Sequence, residues 1–378
     1  MLIGTKTRVL VLWADPRAEN LGLQALAAGA EAFASRVWGS CDVVFHTHNS
    51  VGTPLTKRAV LRDLGRRNGE ITAMLREFDV VLDTGGGDSF TDIYGVRRLL
   101  LMSYVRRASV KAGRPITMTP QTIGPFNTRL GRVVGSLMLR RTAVVCTRDP
   151  ASSAYARQLG RQPDVESTDL AFALPHVDRG EKHDVIINVS GLLWNPNPHV
   201  DHVKYQSDVL NLIRRLDGMG RKVSLLAHVL DSPLSDNDVP AVQAASAKAG
   251  VSVDLLIPQD LEEAREMLAH GNVLIGSRMH SAINALSVGT VAIPWSYSRK
   301  FGPLMAAIGW DHTVDLSSTA DPVQVTLDKL EPAVFDELQS LVVQVGIETA
   351  SSIDRLVKFD GWHSMSFTGQ DSSSSRVR

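Results

Sequence analysis

Short apolar runs alternate with helical patterns along most of the chain, and turn-forming segments separate them. In the first half, such runs predict buried strands at residues 8–14, 41–46, 79–83, 116–119, 143–147 and 166–174. In the second half, they predict strands at 184–189, 222–227, 251–256, 272–275 and 290–294. Helical patterns lie between them, one of them covering residues 57–77. The alternation predicts an α/β protein of two Rossmann-like, doubly wound domains, each with about six strands.

The domain boundaries follow from a polar segment at 176–183, which contains Gly180. We predict an N-terminal domain over 1–176 and a C-terminal domain over 177–330, with the two facing a cleft. A terminal helix within 331–363 is expected to pack back on the first domain. Residues 364–378 include four consecutive serines and are predicted to be a disordered tail.

Charge excludes some partner classes. Lys and Arg number 40, as do Asp and Glu, so no global field attracts nucleic acid or an anionic membrane. Local basic groups fit the solvated faces of helices; these are Arg62, Arg66 and Arg67, and Arg140 and Arg141. We therefore expect no nucleic-acid partner.

The two cysteines, Cys41 and Cys146, have no metal-binding spacing and are interpreted as buried free thiols in a reducing compartment. No apolar run reaches 18 residues, and the first residues do not fit a signal peptide. These features predict a soluble, cytoplasmic protein.

Candidate chemistry concentrates after the strand at 272–275, where Gly276, Ser277, Arg278 and His280 precede a new helical pattern. Arg278 offers a fork of donors for a carboxylate or phosphate, and His280 can exchange a proton near neutral pH. The pair suits a small anionic substrate that must be protonated. In the alternative interpretation, Arg278 pairs with a structural carboxylate and His280 caps the helix.

Loops of the first half suggest an anion site. Asn20 lies where a strand and loop lead into an Ala-rich helix. Gly85, Gly86 and Gly87 follow a strand directly, which allows close backbone approach and exposed N–H donors. A flexible turn is the alternative. Neither a G-x-G-x-x-G pattern nor the Lys of a P-loop accompanies these glycines.

Arg148 repeats the arrangement of Arg278, because it also follows an apolar strand. Its structural alternative is an ion pair with Asp149 or Asp169.

Taken in order, these segments resemble the polysaccharide pyruvyl transferase family. The resemblance runs from about Ala14 to Gly309 and rests on these segments: Asn20-Leu21-Gly22, Gly85-Gly86-Gly87, Gln121-Thr122-Ile123-Gly124-Pro125, Arg148-Asp149, Asp169 and Ser277-Arg278-Met279-His280. It implies a two-domain fold of the glycosyltransferase-B type. It also implies transfer of the pyruvyl group of phosphoenolpyruvate to a sugar, as a ketal, on cell-surface glycans or their lipid-linked precursors. Such an acceptor implies peripheral association with the membrane.

By the same resemblance, His280 is the general acid, and Arg148 and Arg278 bind phosphoenolpyruvate with support from Lys300. The remaining expected substrate-binding residues are Asn20, Gly85, Gly86, Gly87, Gln121 and Ser277. The base that activates the acceptor stays open between Asp88 and Asp149. An aromatic platform for the acceptor is suggested by Trp194, Trp295 and Tyr297.

The reaction needs no redox cofactor, and phosphoenolpyruvate serves as co-substrate. Asp88 and Asp92 near the glycine loop are interpreted as a solvated helix start, so we predict no metal site.

The sequence departs from the family where Leu23 follows Gly22, since relatives carry Asp or Asn there. Two alternatives stay open: a nucleotide-sugar glycosyltransferase of the same architecture, and a non-catalytic glycan-binding relative. No clear Glu-rich motif supports the glycosyltransferase.

Overall fold

The computed structural model describes residues 6–47, 55–64, 66, 69–87, 90–232, 236–298 and 301–365. The chain divides into two compact units. Met1–Pro16, Leu26–Ala173 and Ser351–Arg378 belong to the first, and Arg17–Ala25 and Leu174–Ala350 belong to the second. The predicted domains, 1–176 and 177–330, differ from this division chiefly at 17–25 and in the terminal helix.

The first unit contains a parallel sheet in the order β2-β1-β3-β4-β5-β6. Its strands are β1 (Thr7–Leu12), β2 (Cys41–His46), β3 (Val80–Asp83), β4 (Ile116–Gln121), β5 (Val144–Thr147) and β6 (Val165–Glu166). The predicted runs match these strands closely, except at 166–174. There the strand ends early and a 3-10 helix, Leu170–Ala173, follows, because the Asp169 carboxylate accepts the N–H of Ala171 and starts a turn.

Helices cover both faces of this sheet. They are α1 (Leu21–Trp38), α2 (Lys57–Asp63), α3 (Glu70–Leu75), α4 (Val96–Lys111), α5 (Arg129–Arg140) and α6 (Pro150–Gln158). The single helix predicted over 57–77 is therefore wrong. The buried Asp63 carboxylate accepts the N–H of Ile71 and the hydroxyl of Tyr104, and a Cβ at Gly69 would lie 1.5 Å from it, so the chain turns between α2 and α3.

The second unit contains a parallel sheet in the order β12-β11-β10-β7-β8-β9. Its strands are β7 (His183–Asn188), β8 (Val223–Leu226), β9 (Asp254–Leu256), β10 (Gly271–Gly276), β11 (Val291–Ser296) and β12 (Val314–Asp315). Its helices are α7 (Gly191–Trp194), α8 (His202–Gly218), α9 (Asp238–Ala249), α10 (Leu261–Ala269), α11 (Met279–Ser287), α12 (Phe301–Ala307), α13 (Pro322–Asp328) and α14 (Pro332–Val357), and a 3-10 helix, Asp360–Met365, follows them.

Helix α14 passes from the second unit into the first. Beyond Ala350, Ile353, Leu356 and Trp362 are fully buried and pack with Phe33 in the core of the first unit. This burial stabilises the end of the helix. The predicted disordered tail at 364–378 lies almost entirely outside the described residues.

Both sheets reverse their strand order once, and the reversal decides where a site can form. In the second unit it falls between β7 and β10, and in the first between β1 and β3. In open α/β sheets, ligands bind beyond the carboxyl ends of strands at such a point.

Candidate functional site

The Ser277-Arg278-Met279-His280 segment lies at the reversal point of the second sheet. Strand β10 ends at Gly276, and α11 begins at Met279, with Arg278 as its N-cap residue. The segment therefore forms the turn between a central parallel strand and a helix N-terminus. The partial positive charge of that terminus favours an anion.

Arg278 forms a buried ion pair with Asp238. Its Nη2 lies 2.6 Å from Asp238 Oδ1 and its Nε 3.2 Å from the same oxygen, and Nη2 also donates to the carbonyl of Asp236. Burial lowers the pKa of Arg278, but the charge and hydrogen bond of Asp238, with smaller contributions from Tyr297 and Asp236, together outweigh it, so the net shift is upward. The structural pairing considered for this arginine is thus present. It fixes the direction of a permanently charged guanidinium.

Asp238 connects several elements through one carboxylate. Besides Arg278, it accepts the backbone N–H of Gly191 at 2.7 Å and those of His228 and Val229 at 3.0 Å. It is fully buried at the first position of α9. A buried carboxylate with these partners is satisfied as an ion, so it holds Arg278 rigidly in place.

A second set of hydrogen bonds holds the turn after β10. Asn188 Oδ1 accepts from the backbone N–H of Arg278 at 2.9 Å and from the hydroxyl of Ser281 at 3.0 Å. The Tyr205 hydroxyl donates to Ser277 Oγ at 2.9 Å. The Ser277 side chain is therefore bonded inside the unit, and its role in substrate binding stays a prediction.

His280 lies against the backbone of Gly22. A Cβ placed on Gly22 would come within 2.7 Å of both Cγ and Nδ1 of the imidazole. Asn20 supports this contact, because its Oδ1 accepts the N–H of Gly22 at 2.8 Å and its backbone pairs with Val229. The structure thus brings together two predicted site residues, Asn20 and His280, from motifs far apart in sequence. Only a glycine at position 22 allows the imidazole this place.

We call the residues around the turn after β10 the cluster; they are Asn20, Gly22, Asn188, Asp238, Arg278 and His280. A second imidazole, that of His228, belongs to the same cluster. It is fully buried, and its Nε2 lies 3.1 Å from Nδ2 of Asn284, which follows His280 by one helical turn. Burial lowers the pKa of His228 to about 3, and the charges of His280 and Arg278 act in the same direction. His228 is therefore neutral at pH 7 and cannot act as a proton donor there.

We expect this neutrality to make the protein less stable in acid. The unfolded chain takes up a proton on His228 below pH 6.5, whereas the folded chain does so only near pH 3, so stability is lost as the pH falls through 6.5. At pH 5 the loss is about 2 kcal/mol. Urea unfolding at pH 7 and pH 5 measures it. His228→Gln should lose correspondingly less between the two pH values, and equal losses would contradict this assignment.

In the first unit, Arg148 pairs with Asp169. Its Nη1 lies 2.7 Å from Asp169 Oδ2, and its Nε donates to Thr122 Oγ1 at 2.9 Å. Asp149 does not share this role; it caps α6 by accepting from the N–H and hydroxyl of Ser152. Arg148 belongs to the first unit and Arg278 and His280 to the second, so their convergence on one substrate stays a prediction.

The glycine loop differs from its expected form. Gly85, Gly86 and Gly87 all have positive φ, but their N–H groups are used within the turn. They donate to Asp83 Oδ1, Thr84 Oγ1 and the Thr84 carbonyl, respectively. The exposed N–H donors predicted here are therefore not available at these three positions. The expected role of the loop in substrate binding stays a prediction.

Gln121 packs against the glycine loop. Its side chain is fully buried, its Nε2 donates to the Asp83 carbonyl at 2.6 Å, and a Cβ on Gly85 would lie 1.8 Å from its Oε1. Its observed contacts are thus structural, and direct binding of substrate by Gln121 stays a prediction.

Of the three aromatic residues suggested as a platform for the acceptor, two are buried and one is partly accessible. Trp295 is buried in β11 and donates to Thr326, and Trp194 is buried in α7, so both tryptophans are packing residues. Tyr297 is half-buried and contacts the ring of His199. These two residues and Asp315 line part of a surface cavity of about 350 Å³.

The remaining predicted residues separate by position. Lys300 and Asp88 lie outside the described residues. Asp92 is buried and accepts from the backbone of Asn127 and Thr128, so the solvated helix start expected there is wrong. Within the described ranges, no group of three or more His, Cys, Asp and Glu could hold a metal ion. Both cysteines are free thiols; Cys146 is buried and Cys41 half-buried.

Sequence reasoning missed three members of the cluster, namely Asn188, His228 and Asp238. Each is a polar residue at or just beyond the carboxyl end of an apolar strand, or at the start of the helix that follows. That shared position was a usable signal, because a ligand site forms from several strand ends at once.

Solved structures define the class of fold. The chain resembles the Anabaena protein Alr3699/HepE in complex with UDP and glucose, with a TM-score of 0.54, 12% identity, and 93% of this chain and 100% of that chain covered. It also resembles S. aureus MnaA bound to UDP, with a TM-score of 0.55, 10% identity, and 98% of this chain and 100% of that chain covered. For a UDP-N-acetylglucosamine 2-epimerase, the TM-score is 0.58 and the identity 12%, with 98% of this chain and 99% of that chain covered. At these identities the likeness concerns the fold alone. The protein has the two-domain α/β fold of the glycosyltransferase-B type, as predicted.

The family follows from the sequence match. Residues 20–299 match the family model of polysaccharide pyruvyl transferase, and this stretch contains the Asn20, Arg148 and Arg278-to-His280 segments. The chain belongs to the polysaccharide pyruvyl transferase family. The predicted family is thus confirmed. No curated protein matches the sequence significantly.

Proposed function

We propose that this protein transfers the pyruvyl group of phosphoenolpyruvate to hydroxyls of a cell-surface glycan, or of its precursor, as a ketal. The observation that supports the proposal is that a fixed guanidinium and an imidazole lie at the N-terminus of one helix. Asp238 holds Arg278 at the N-terminus of α11, and His280 lies two residues further on, beside Gly22. Membership of a transferase family supports the same reaction class.

The chemistry assigns a distinct task to each group. Protonation of the methylene carbon of phosphoenolpyruvate by His280 creates an oxocarbenium-like centre at the enol carbon. A sugar hydroxyl adds to that carbon and loses its proton. Departure of phosphate, which carries away the C–O bonding pair, restores an electrophilic centre for a second hydroxyl. Attack by that hydroxyl, with loss of its proton, closes the ketal. Of the two hydroxyl protons, one replaces the proton given to the methylene carbon and the other leaves with phosphate, so the net products are pyruvylated sugar and inorganic phosphate.

Arg278 favours this sequence electrostatically. Its guanidinium is buried and permanently charged, so it can neutralise a carboxylate or the leaving phosphate without reorganising. Arg148 and Lys300 belong to the proposal as further anion-binding groups. No step requires a redox cofactor or a metal ion, and a cytoplasmic location belongs to the same proposal.

Ligand binding separates this proposal from its main alternative, a nucleotide-sugar glycosyltransferase. The alternative is worth testing because structures of similar fold contain UDP. The midpoint temperature of thermal unfolding should rise with phosphoenolpyruvate alone and not with UDP. The rise should increase with the ratio of ligand concentration to dissociation constant. Arg278→Gln should abolish the shift, whereas the exposed Arg355→Gln should retain it. Stabilisation by UDP alone would favour the glycosyltransferase.

The reaction itself is tested by release of phosphate. Phosphoenolpyruvate and a glycan pool from cell extract should together yield phosphate and a glycan heavier by one pyruvate ketal, detected by mass spectrometry. Phosphate release without a ketal, or no release with any acceptor fraction, would contradict the proposed function.

A further inference from the structure

Helix α5 exposes a line of large apolar side chains. Leu130, Val133 and Leu137 are 53%, 57% and 46% exposed, and their spacing places them on one stripe of the helix. The opposite side, with Val134 and Met138, is buried in the core of the first unit. Helix α5 is thus apolar on both faces, although only one of them is needed for folding.

The same exposed face is strongly basic. Arg129, Arg132, Arg140 and Arg141 are exposed beside the apolar stripe, and none forms an ion pair with a described residue. The surrounding sequence is equally one-sided. From residue 93 to residue 148 the chain contains no Asp or Glu, although Lys and Arg balance Asp and Glu in the whole chain.

The neighbouring helix, α4, continues this character. It packs beside α5, and Leu100 and Val110 are 46% and 51% exposed on it. Arg97 and Arg107 are exposed on the same helix. The exposed side chains of α4 and α5 together form what we call the basic apolar face. Arg140 and Arg141, which are expected from the sequence to be solvated, therefore belong to a face that also exposes leucines and valines.

We propose that the basic apolar face docks the protein on an anionic lipid bilayer. A membrane interface accepts both components, because guanidinium groups attract anionic headgroups while leucine and valine enter the acyl boundary. A nucleic acid would match the charge but leave the apolar stripe unused. A second copy of the chain would bury the stripe but place arginine against arginine. The proposed occupant is therefore a bilayer.

The docking is peripheral. None of the helices in the described part of the chain has the length and apolar character that a bilayer crossing requires. The benefit of membrane docking rests on the proposed function. An enzyme held at the membrane surface encounters a lipid-linked saccharide acceptor by diffusion in the plane of the membrane.

Sedimentation of the full chain with lipid vesicles tests the proposal without substrate. Binding to vesicles with about 30% phosphatidylglycerol should exceed binding to pure phosphatidylcholine by roughly tenfold or more, and most of it should be lost in about 0.5 M salt. Equal binding to both vesicle types, or no binding, would overturn it. Because neither phosphoenolpyruvate nor acceptor is present, this failure is distinct from failure of the proposed reaction.

Variants locate the surface. Two triple variants on α5 should each weaken vesicle binding by roughly tenfold or more. The first removes charge, with Arg129→Gln/Arg132→Gln/Arg140→Gln, and the second removes apolar surface, with Leu130→Ser/Val133→Ser/Leu137→Ser. The matched control is Val343→Ser/Ile347→Ser on α14, which removes apolar surface of similar exposure elsewhere. Circular dichroism verifies that each variant is folded. Unchanged binding of both α5 variants, or a dimer in wild type that they abolish, would overturn the proposal.

Discussion

Replacing His280 with alanine is expected to lower the rate of phosphate release from phosphoenolpyruvate by roughly 10²–10⁴-fold. The reason is that carbon protonation needs a group that titrates near the working pH. His228, the other imidazole of the cluster, cannot substitute, because burial holds its pKa at about 3. His280 is half-buried at the start of α11, so its truncation leaves the core of the unit intact.

The measurement is steady-state phosphate release with acceptor present, for His280→Ala and His280→Gln. Glutamine retains a hydrogen-bonding group of similar reach but cannot protonate carbon, so both variants should be equally impaired. His176→Ala, at an exposed histidine, is the matched control and should keep wild-type turnover. A glutamine variant near wild-type turnover would limit His280 to binding, and the general acid would have to be sought elsewhere.

Gly22→Ala is expected to lower turnover by up to about 10²-fold without destabilising the protein. The added Cβ would lie 2.7 Å from Cγ and Nδ1 of His280, so the imidazole must shift. A displacement of about 1 Å from productive geometry costs a factor of this size. Gly22 is the second residue of α1, and alanine is a better helix former than glycine, so stability should change little.

Two comparisons isolate the contact. Gly218→Ala and Gly346→Ala introduce the same methyl group in helices with no atom within 4 Å, and turnover should not change. In the double variant Gly22→Ala/His280→Ala, turnover should equal that of His280→Ala alone, because the methyl group then meets no ring. Additive losses in the double variant would show that Gly22 acts through something other than His280.

The elements of the fold were predictable because each sheet is parallel and covered by helices. Strands buried on both faces contain continuous apolar runs, as at 80–82 and 144–146, where every residue is buried. The short β12 and the split between α2 and α3 were not predicted. A two-residue strand carries no periodicity, and the turn before α3 depends on hydrogen bonds to Asp63 that are formed only in the folded chain.

The candidate site was predictable only in part. Arg278 and His280 lie at a strand end where a donor fork and a titratable ring are conspicuous. The glycine loop misled, because three consecutive glycines suggested free N–H groups, whereas Asp83 and Thr84 supply acceptors for all three within the turn. Trp194 and Trp295 misled for a similar reason, since an aromatic residue at a strand end can as easily face the core.

By itself, the sequence determined the succession of strands and helices, the family, and the two side chains on which the proposed chemistry depends. The elements and the two side chains are local properties, read from periodicity and from neighbouring residues, whereas the family follows from the resemblance of motifs in their order along the chain. Only the tertiary structure decided that Asp238 holds Arg278, that His280 lies against Gly22, and that His228 is buried and neutral. The physical reason is the strand order. Strands β10, β7 and β8 are neighbours in the sheet, so their carboxyl ends lie side by side and bring together residues far apart in the chain.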